Sequence, residues 1–359
     1  VLFRSAPWTV RFAVVAMLGA FAWASLAVAD DWPTYQHDVA RTGITAERLA
    51  LPLVECWKFQ SRYAPRPAWG DPKPNPVEGI LELRRRHFDD VDQVVVADGA
   101  AYFGSSADHK LYCLDLASGK IRWTFITGGP IRLAPSIVKG RAYFGSDDGW
   151  IYCLKTEDGS VAWRFRAAPG DNRVLGHGKM ISLWPVRTGV LVDAGTAYFG
   201  AGIFPAEGVF LYAADANDGK VLWRNDSCGE APQSAVSPQG YLLASPTTVY
   251  APMGRVSPGA FDRRDGKLKF QSFFGKNFGG TYAMLVDGGV YTGTEKLVGY
   301  RQDTQRDTFA VFEGRRLVVN GSRAYLATGS RLKALDRTTY PAAYSRCESL
   351  RTQIEAEAR

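Results

Sequence analysis

Several residue patterns that support enzymatic chemistry are missing from this sequence. No two cysteines are adjacent, and no Cys-x-x-Cys-His motif for haem attachment occurs. The four histidines, His37, His87, His109 and His177, lack the spacing of metal ligands, so we expect them in loops or at the surface. The glycine-rich stretch 275–280 follows no strand-to-helix pattern, which argues against a phosphate-binding loop. We therefore predict no catalytic residue and no metal ligand.

Positive charge is present but is not concentrated. The chain of 359 residues has a formal net charge of +7, and the one basic run is Arg84-Arg85-Arg86. A modest excess of this kind is typical of a solvated surface. We therefore expect no nucleic-acid partner.

A long apolar stretch lies at the N-terminus. Arg11 precedes Phe12–Leu26, and Ala27-Val28-Ala29 fits the small-x-small pattern of a cleavage site. We expect residues 1–29 to be a signal peptide, which predicts a periplasmic or secreted protein with no membrane span after cleavage. The alternative is an uncleaved segment that anchors the protein, because the apolar run is near the lower length limit for a span.

The strongest pattern is a repeat that recurs four times, over residues 111–123, 151–163, 211–223 and 259–270. In each copy a glycine follows a strand-like stretch, and an aromatic residue follows the glycine by four positions. Three copies also have an aspartate four positions before the glycine, and a degenerate fifth copy survives at Leu335-Asp336. The marked residues are Asp115, Gly119, Trp123, Gly159, Trp163, Asp215, Gly219, Trp223, Asp262, Gly266 and Phe270.

A tyrosine precedes each copy at a regular distance. Tyr-Phe-Gly occurs at 102–104, 143–145 and 198–200, with looser matches at Tyr250, Tyr291 and Tyr325. A period near 40 residues with strand and turn signals predicts an all-β fold, a β-propeller of four-stranded antiparallel blades. Six blades are recognisable over residues 30–338. We expect the glycine to form the turn, the aspartate to accept its backbone hydrogen bonds, and the aromatic ring to wedge between blades.

The five cysteines do not form a disulfide framework. Cys113 and Cys153 occupy the same place in neighbouring repeats, so we expect them to be too far apart for a bridge and buried as small apolar side chains. Cys56, Cys228 and Cys347 allow one disulfide, whose pairing the sequence does not determine.

The repeat, Leu-Tyr-x-Leu-Asp-x-x-x-Gly-Lys-x-x-Trp with Tyr-Phe-Gly upstream, resembles that of PQQ-like (quinoprotein-type) β-propellers. This family includes quinoprotein alcohol dehydrogenases and the non-catalytic BamB-type propeller of outer-membrane barrel assembly. Residues 31–43 are similar to the start of exported, planctomycete-like PQQ-like repeat proteins. Such propellers commonly have seven or eight blades, so the resemblance implies a truncated chain. The alternative is that the segment 31–60, with possible strand residues around Val54-Glu-Cys-Trp57, supplies a closing strand.

Two regions depart from the repeat. From residue 339 the spacing of Tyr344, Cys347, Leu350 and Ile354 predicts an amphipathic helix over 339–359, which we expect to be cut short. Residues 64–79 contain five prolines and are predicted to form an extended surface loop.

Aligning the units predicts a polar group at the entrance to the central channel, where the loops before the innermost strands converge. A funnel with arginine and tryptophan side chains suits an anionic or sugar-like ligand. The simpler alternative is a water-filled channel whose polar groups are satisfied. The predicted binding residues are Asp90, Arg132, Trp184, Arg187, Ser237, Arg255 and Asn277.

The resemblance implies two classes of function. Enzymes of the family hold PQQ beside Ca²⁺ with adjacent cysteines, an aspartate base and Glu, Asn or Asp ligands, and this sequence lacks the cysteine pair and the ligand spacing. We therefore predict a non-catalytic binding or scaffolding module of the cell envelope, without a cofactor. Its expected partner is an envelope protein or a polymer or sugar-like ligand. The alternatives are a PQQ- and Ca²⁺-dependent oxidoreductase and a sensor or regulatory domain of a longer protein.

Overall fold

The computed structural model describes residues 30–69, 89–229, 237–254, 256–271, 279–293, 296–302 and 307–357. The predicted signal peptide, residues 1–29, lies outside them. Nearly all regular structure in the unit 31–359 is antiparallel β-sheet, arranged as successive sheets of four strands in chain order. The predicted β-propeller of four-stranded blades is therefore confirmed.

The first three blades contain most of the clear repeats. Blade 1 has β1 (Val95–Ala97), β2 (Ala100–Gly104), β3 (Lys110–Asp115) and β4 (Ile121–Ile126), and blade 2 has β5 (Ser136–Val138), β6 (Arg141–Gly145), β7 (Trp150–Lys155) and β8 (Val161–Arg166). Then follow β9 (Arg173–Gly176), β10 (Lys179–Ser182) and β11 (Thr188–Gly189), and blade 3 with β12 (Leu191–Asp193), β13 (Thr196–Ala201), β14 (Phe210–Asp215) and β15 (Val221–Asn225).

The remaining strands continue the same order. After β16 (Gly240–Tyr241), blade 4 has β17 (Leu243–Ala244), β18 (Thr248–Ala251), β19 (Gly259–Asp262) and β20 (Leu268–Gln271). Blade 5 has β21 (Ala283–Val286), β22 (Gly289–Gly293), β23 (Lys296–Arg301) and β24 (Thr308–Glu313), and blade 6 has β25 (Arg316–Asn320), β26 (Arg323–Ala327) and β27 (Leu332–Asp336). Outside the blades, β9 and β10 form a hairpin, and β11 pairs in parallel with β16.

Blade 6 departs from the prediction because it has three strands among the described residues. Helix α1 (Tyr340–Glu357) begins four residues after Asp336, at the position that Gly119 occupies after Asp115 in blade 1. In chain order the helix therefore begins where the turn to the outermost strand would lie. None of its described residues is buried, and Leu350 and Ile354 are exposed. No helix in the described part of the chain is long and apolar enough to cross a membrane.

Each repeat tryptophan lies against the turn glycine of the following blade. The Trp123 indole N–H donates to the Thr156 carbonyl at 2.9 Å, and a Cβ atom placed on Gly159 would lie 2.7 Å from the ring. Gly159 has a φ of +73°, which an L side chain rarely adopts. Trp163 repeats the arrangement on Gly219, and Trp223 on Gly266. Only glycine leaves room for the ring, so the packing of each tryptophan requires a glycine in the turn of the following blade.

The turn aspartates accept hydrogen bonds from their own turns. Asp115 accepts from the Ser118 N–H at 2.9 Å and pairs with Arg122 at 2.8 Å. Hydrogen bonds from Arg122 and Ser118 lower the pKa of Asp115 to about 2. Asp215 and Asp262 likewise accept from the N–H two residues on.

Trp57 occupies the place of a repeat tryptophan although no blade precedes it among the described residues. Its indole N–H donates to the Leu116 carbonyl at 2.7 Å, and its ring covers Gly119. Phe59 packs on Phe103 as Phe125 packs on Phe144 in the next interface. Residues 57–59 thus match the Trp-x-Phe of outer strands 123–125 and 163–165, although the possible strand around residues 54–57 is not formed.

Residues 32–43, here called the axial segment, run across the innermost strands. Carbonyls of this segment accept hydrogen bonds from the Ile137, Ala244 and Leu285 N–H groups of blades 2, 4 and 5, and Trp32 bridges to Val96 of blade 1. Side chains and backbone of the chain itself therefore occupy part of the propeller axis.

Candidate binding site on the propeller axis

Four charged residues from separate connections meet in one buried group, here called the axial cluster: Asp89, Arg132, Asp147 and Arg187. Asp89 precedes blade 1, Arg132 lies between blades 1 and 2, and Arg187 lies between blades 2 and 3. Asp147 is in the turn between β6 and β7. Entrance loops of successive blades converge on the axis, which explains why residues far apart in sequence meet here.

Asp147 is the centre of the cluster. It accepts from Arg132 Nε at 2.6 Å through Oδ2, and from Arg187 Nε and Nη2 at 3.2 Å through both oxygens. The side chains of all three residues are at most 2% exposed. Burial opposes the charge of Asp147, but the two arginines outweigh that effect and lower its pKa. Asp147 is therefore held as a carboxylate.

Asp89 is the second anion of the cluster. Its Oδ2 atom accepts from Arg132 Nη1 at 2.5 Å and from the Ala68 N–H at 2.9 Å. Arg132 Nη1 also donates to the Arg66 carbonyl at 2.8 Å. Burial raises the pKa of Asp89, and Arg132 opposes that shift only in part. Two arginines and two aspartates leave the fully ionised cluster without net charge.

Trp69 covers one side of the cluster. The Arg187 guanidinium carbon lies 5.0 Å from the centre of the Trp69 ring, within the range of a cation–π contact. The indole N–H of Trp69 donates to Gln239 Oε1 at 3.3 Å, and its ring meets Phe204 edge-on at 6.5 Å. The cluster therefore has an aromatic border.

Two buried polar atoms of the cluster have no hydrogen-bond partner among the described residues: the donor Arg187 Nη1 and the acceptor Asp89 Oδ1. A buried polar atom without a partner costs roughly 1–3 kcal/mol. A molecule that supplied the missing partners would recover that free energy.

Lys179, beside His109, adds further positive charge near the cluster. Lys179 Nζ lies 2.8 Å from His109 Nε2 and donates to the Ala107 carbonyl at 2.7 Å. Burial lowers the pKa of Lys179, and the nearby Arg66 and Arg132 lower it further. Burial and Lys179 lower the pKa of His109. A neutral His109 can accept a hydrogen bond from the Lys179 ammonium through Nε2, which makes the pair compatible at neutral pH.

The structure brings two of the predicted binding residues together, Arg132 and Arg187. Asp90 is exposed, and its neighbour Asp89 reaches the cluster instead. The Trp184 indole N–H donates to the Glu207 carbonyl, and the Ser237 hydroxyl donates to the Ile203 carbonyl, each at 2.5 Å. The remaining two predicted residues, Arg255 and Asn277, lie outside the described residues.

Sequence reasoning missed four members of this site: Asp89, Asp147, Ala68 and Trp69. Asp147 lies in a turn between two strands, which is a sufficient local role for an aspartate, but its side chain points to two arginines. Ala68 and Trp69 belong to the stretch 64–79 that was predicted to be a surface loop. Its described residues, 64–69, form no helix or strand, as a loop would, but Ala68 is buried and so does not lie at the surface.

The fold and the axial cluster define the protein as a PQQ-like β-propeller whose entrance loops share a buried ion-pair network. The profile of the family described as outer membrane protein assembly factor BamB matches residues 80–207 and 126–339, and the chain belongs to that family.

Individual relatives include quinoprotein dehydrogenases. Quinohemoprotein alcohol dehydrogenase ADH IIB of Pseudomonas putida is 31% identical over 27% of this chain and 16% of its own length. The chain therefore matches about a sixth of that enzyme.

The structure of quinohemoprotein alcohol dehydrogenase from Comamonas testosteroni is similar at a TM-score of 0.51 and 15% identity, covering 80% of this chain and 49% of that one. BamB from Moraxella catarrhalis gives a TM-score of 0.49 and 16% identity, covering 72% and 76%. Structural likeness at these identities is one of fold.

The axial residues do not fit a PQQ–Ca²⁺ pair. Such a pair needs several free oxygen ligands for the cation. Both oxygens of Asp147 and one of Asp89 already accept hydrogen bonds from arginines. In the described ranges, no group of three or more His, Cys, Asp or Glu residues is placed to hold a metal ion.

Proposed function

We propose that the protein is a non-catalytic binding or scaffolding module of the cell envelope that holds its partner at the axial cluster. The family supports an envelope role, because its description names outer-membrane protein assembly. The observation that carries the proposal is the pairing of Asp147 with Arg132 and Arg187, which occupies both oxygens of that carboxylate and holds it ionised. A buried network of charge-assisted hydrogen bonds forms a rigid platform.

The two unpartnered atoms define the group that the platform would recognise. Arg187 Nη1 requires an acceptor and Asp89 Oδ1 requires a donor. A hydroxyl or a primary amide has both, and each occurs on sugar-like polymers and on protein side chains. Trp69 and Phe204 add an aromatic edge of the kind that packs on sugar rings and apolar side chains. A hydroxyl-rich polymer or an envelope protein is therefore the proposed partner.

Calorimetric titration with neutral oligosaccharides and with candidate envelope proteins tests the proposal. Once a partner binds, Arg187→Gln is expected to weaken its affinity at least about tenfold, because a hydrogen bond to a charged donor contributes roughly 1.5–3 kcal/mol. Arg173→Gln is the matched control, since Arg173 is half exposed on the β9–β10 hairpin and forms no part of the axial cluster. Equal affinity of both variants, with folding shown intact by circular dichroism, would contradict this role of the cluster.

A quinoprotein-type oxidoreductase is the second candidate, favoured by the sequence match to a quinohemoprotein alcohol dehydrogenase. Adding PQQ with Ca²⁺ to the purified protein separates the two functions. We expect no saturable change in quinone absorbance and no dye-linked alcohol oxidation. Stoichiometric uptake with oxidation of an alcohol would favour the enzyme and contradict the proposed binding module.

A further inference from the structure

The contact between blades 5 and 6 differs from the contacts between the earlier blades. In blades 1, 2 and 3 a tryptophan of the outer strand lies on the turn glycine of the next blade, but in blade 5 Ala310 stands at that position. The ring of Phe309 lies over Gly289 and Gly299, since Cβ atoms placed on these glycines would lie 2.9 and 3.0 Å from it. Phe309 and, from the start of α1, Tyr340 therefore supply the rings of this contact in place of an indole.

These two rings leave a cavity of about 150 Å³ between the blades, here called the junction pocket. Its apolar wall includes Val286, Tyr291, Phe309 and Pro341. A cavity of this size with an apolar lining can hold a ring as large as benzene. The pocket therefore has room for a small organic molecule.

Arg301 brings a positive charge to the junction pocket that no carboxylate balances. Its guanidinium carbon lies 5.9 Å from the centre of the Phe309 ring, and none of the ion pairs that the described residues form includes it. Strand pairing places Arg301 opposite Gly289 as Asp115 is placed opposite Ala100 in blade 1. Blade 5 therefore has a cation where blade 1 has a turn carboxylate.

The other two charged residues that line the junction pocket neutralise each other. Arg337 Nη2 pairs with Asp287 Oδ2 at 2.8 Å, and Arg337 Nη1 donates to the Gly321 carbonyl at 2.7 Å. Arg301 consequently leaves the lining of the pocket with one net positive charge, which favours an anionic ligand.

Tyr340 adds a hydrogen-bond donor to the same lining. Its hydroxyl oxygen is buried and has no hydrogen-bond partner within the described part of the chain. Burial raises the pKa of Tyr340 to about 12, so the hydroxyl keeps its proton at neutral pH. A buried polar group without a partner is unfavourable, and an acceptor oxygen on a ligand would remove that cost.

We propose that the junction pocket binds a small carboxylate that carries a ring or a branched apolar group, of about the size of benzoate. The carboxylate pairs with Arg301 and accepts a hydrogen bond from the Tyr340 hydroxyl, and the apolar group packs on Phe309. An apolar cavity with a few polar groups is the usual form of a site for such a molecule. The pocket shares no residue with the axial cluster, so this binding is additional to the proposed function.

Calorimetric titration of the full chain at pH 7 with three probes tests the proposal. Benzoate has both a ring and a charge, benzamide has the ring without the charge, and acetate has the charge without the ring. We expect saturable binding of one benzoate per chain, with benzamide about three- to tenfold weaker and acetate at least about tenfold weaker. Absence of benzoate binding, or benzamide binding as tightly as benzoate, would overturn the proposal.

Two variants assign the contacts to residues. Arg301→Met removes the charge beside Phe309 and is expected to weaken benzoate about three- to tenfold without changing the affinity for benzamide, since an exposed arginine is partly screened by solvent. Tyr340→Phe removes only the hydroxyl and is expected to weaken benzoate about two- to tenfold.

Lys155→Met is the matched control for Arg301→Met. Lys155 has the position of Arg301 in blade 2, where Trp163 fills the contact with the next blade, so this variant should bind benzoate like the wild type. Equal benzoate affinity of Arg301→Met and the control, with both folds intact by circular dichroism, would overturn the role of Arg301. None of these results bears on ligand binding at the axial cluster.

Discussion

At the scale of single residues, buried charge is the unusual feature of this protein. Arg41 and Arg187 are among its largest fully buried side chains. Arg41 donates to the carbonyls of Leu242 at 2.8 Å and Tyr35 at 2.9 Å, and burial lowers its pKa to about 10, so it remains charged at neutral pH. Buried charges are tolerated only when they are paired or hydrogen-bonded. These arginines therefore hold their surroundings in one arrangement.

Replacing Asp147 by asparagine is expected to destabilise the fold strongly. The change leaves the buried Arg187 without its carboxylate partner and Arg132 with Asp89 alone, and breaking a buried ion pair in this way typically costs about 3–5 kcal/mol. Urea unfolding at pH 7 measures the effect. Because the pKa of Asp147 is lowered in the fold, its contribution is present above the unfolded value of 3.8 and is lost as the pH falls below it. Asp265→Asn, at an exposed ion pair, is the control and is expected to change stability little.

Ionisation of Asp92 should lower the stability of the fold, whereas ionisation of Asp147 raises it. Burial, with a contribution from Asp108, raises its pKa to about 6, above the unfolded value of 3.8. As the pH rises from about 4 to 6 the unfolded chain loses this proton before the fold does, so stability falls. Asp92→Asn is expected to stabilise the protein at pH 7 by roughly 1 kcal/mol after allowance for solvent screening, and by nothing at pH 4. A variant that is less stable than the wild type at pH 7 would contradict this account.

At the scale of elements, the tryptophan–glycine contact couples each blade to the next. Gly159 and Gly195 both have positive φ, at +73° and +80°, but a Cβ atom on Gly195 would meet nothing within 4 Å, whereas one on Gly159 would lie 2.7 Å from Trp123. Comparing alanine variants at the two positions therefore separates the wedge from backbone strain.

Gly195→Ala is expected to lower the free energy of unfolding by about 1 kcal/mol, from the strained backbone alone. Gly159→Ala is expected to lose a further 1–3 kcal/mol or so, because the tryptophan ring must move. Thermal and urea unfolding of both variants measure the difference. Equal losses would show that the ring adapts freely and that the wedge contributes little.

Blade 6 shows that the wedge can be supplied from the other side. In blade 5 the position of the repeat tryptophan is Ala310, which pairs with Gly299 as Trp123 pairs with Cys113. In blade 6 the position of the turn glycine is Tyr340, which packs in the same core and meets Phe312 at 4.7 Å. An aromatic ring therefore fills the interface in both cases. It comes from the outer strand of the preceding blade in the tryptophan–glycine contacts, and from Tyr340, the first residue of α1, between blades 5 and 6.

At the scale of the whole molecule, the axial segment joins blades that are far apart in sequence. It accepts backbone hydrogen bonds from blades 2, 4 and 5, and Tyr35 stacks on Tyr241 at 3.7 Å. Arg41 fixes its conformation by bonding both to the segment and to Leu242. The segment therefore links the innermost strands of these blades at the propeller axis.

Arg41→Met is expected to loosen these strands together. In hydrogen–deuterium exchange the amides of Ile137, Ala244 and Leu285 should lose protection in parallel, because all three donate to the axial segment. Amides in the middle of the blades, such as Tyr143, should change less. Arg122→Met, at an exposed ion pair of blade 1, is the control. Loss of protection confined to one blade would contradict the role of the segment as a common tie.

Much of this architecture was predictable because it is encoded by short motifs in the sequence. Turn glycines, their aspartates and the outer-strand aromatics recur at constant spacing, so the blades could be counted from the repeat. Asp89 and Asp147 could not be assigned to the axial site in the same way, since one adjoins a stretch without repeat pattern and the other has a sufficient explanation as a turn residue. Trp57 carried the Trp-x-Phe signal but lacked the glycine that marks the other copies.

The sequence by itself determined the repeat, the blade and the residues that join one blade to the next, because each depends on contacts within about 40 residues. Only the tertiary structure decided what lies on the axis. There, connections from different blades and the axial segment meet, and the partners of Asp147, Arg187 and Arg41 depend on how the blades are arranged around it. Arg41 bonds to a carbonyl 201 residues away, and the closer pairs of the axial cluster join residues outside the repeat motif, so neither leaves a periodic signal in one sequence.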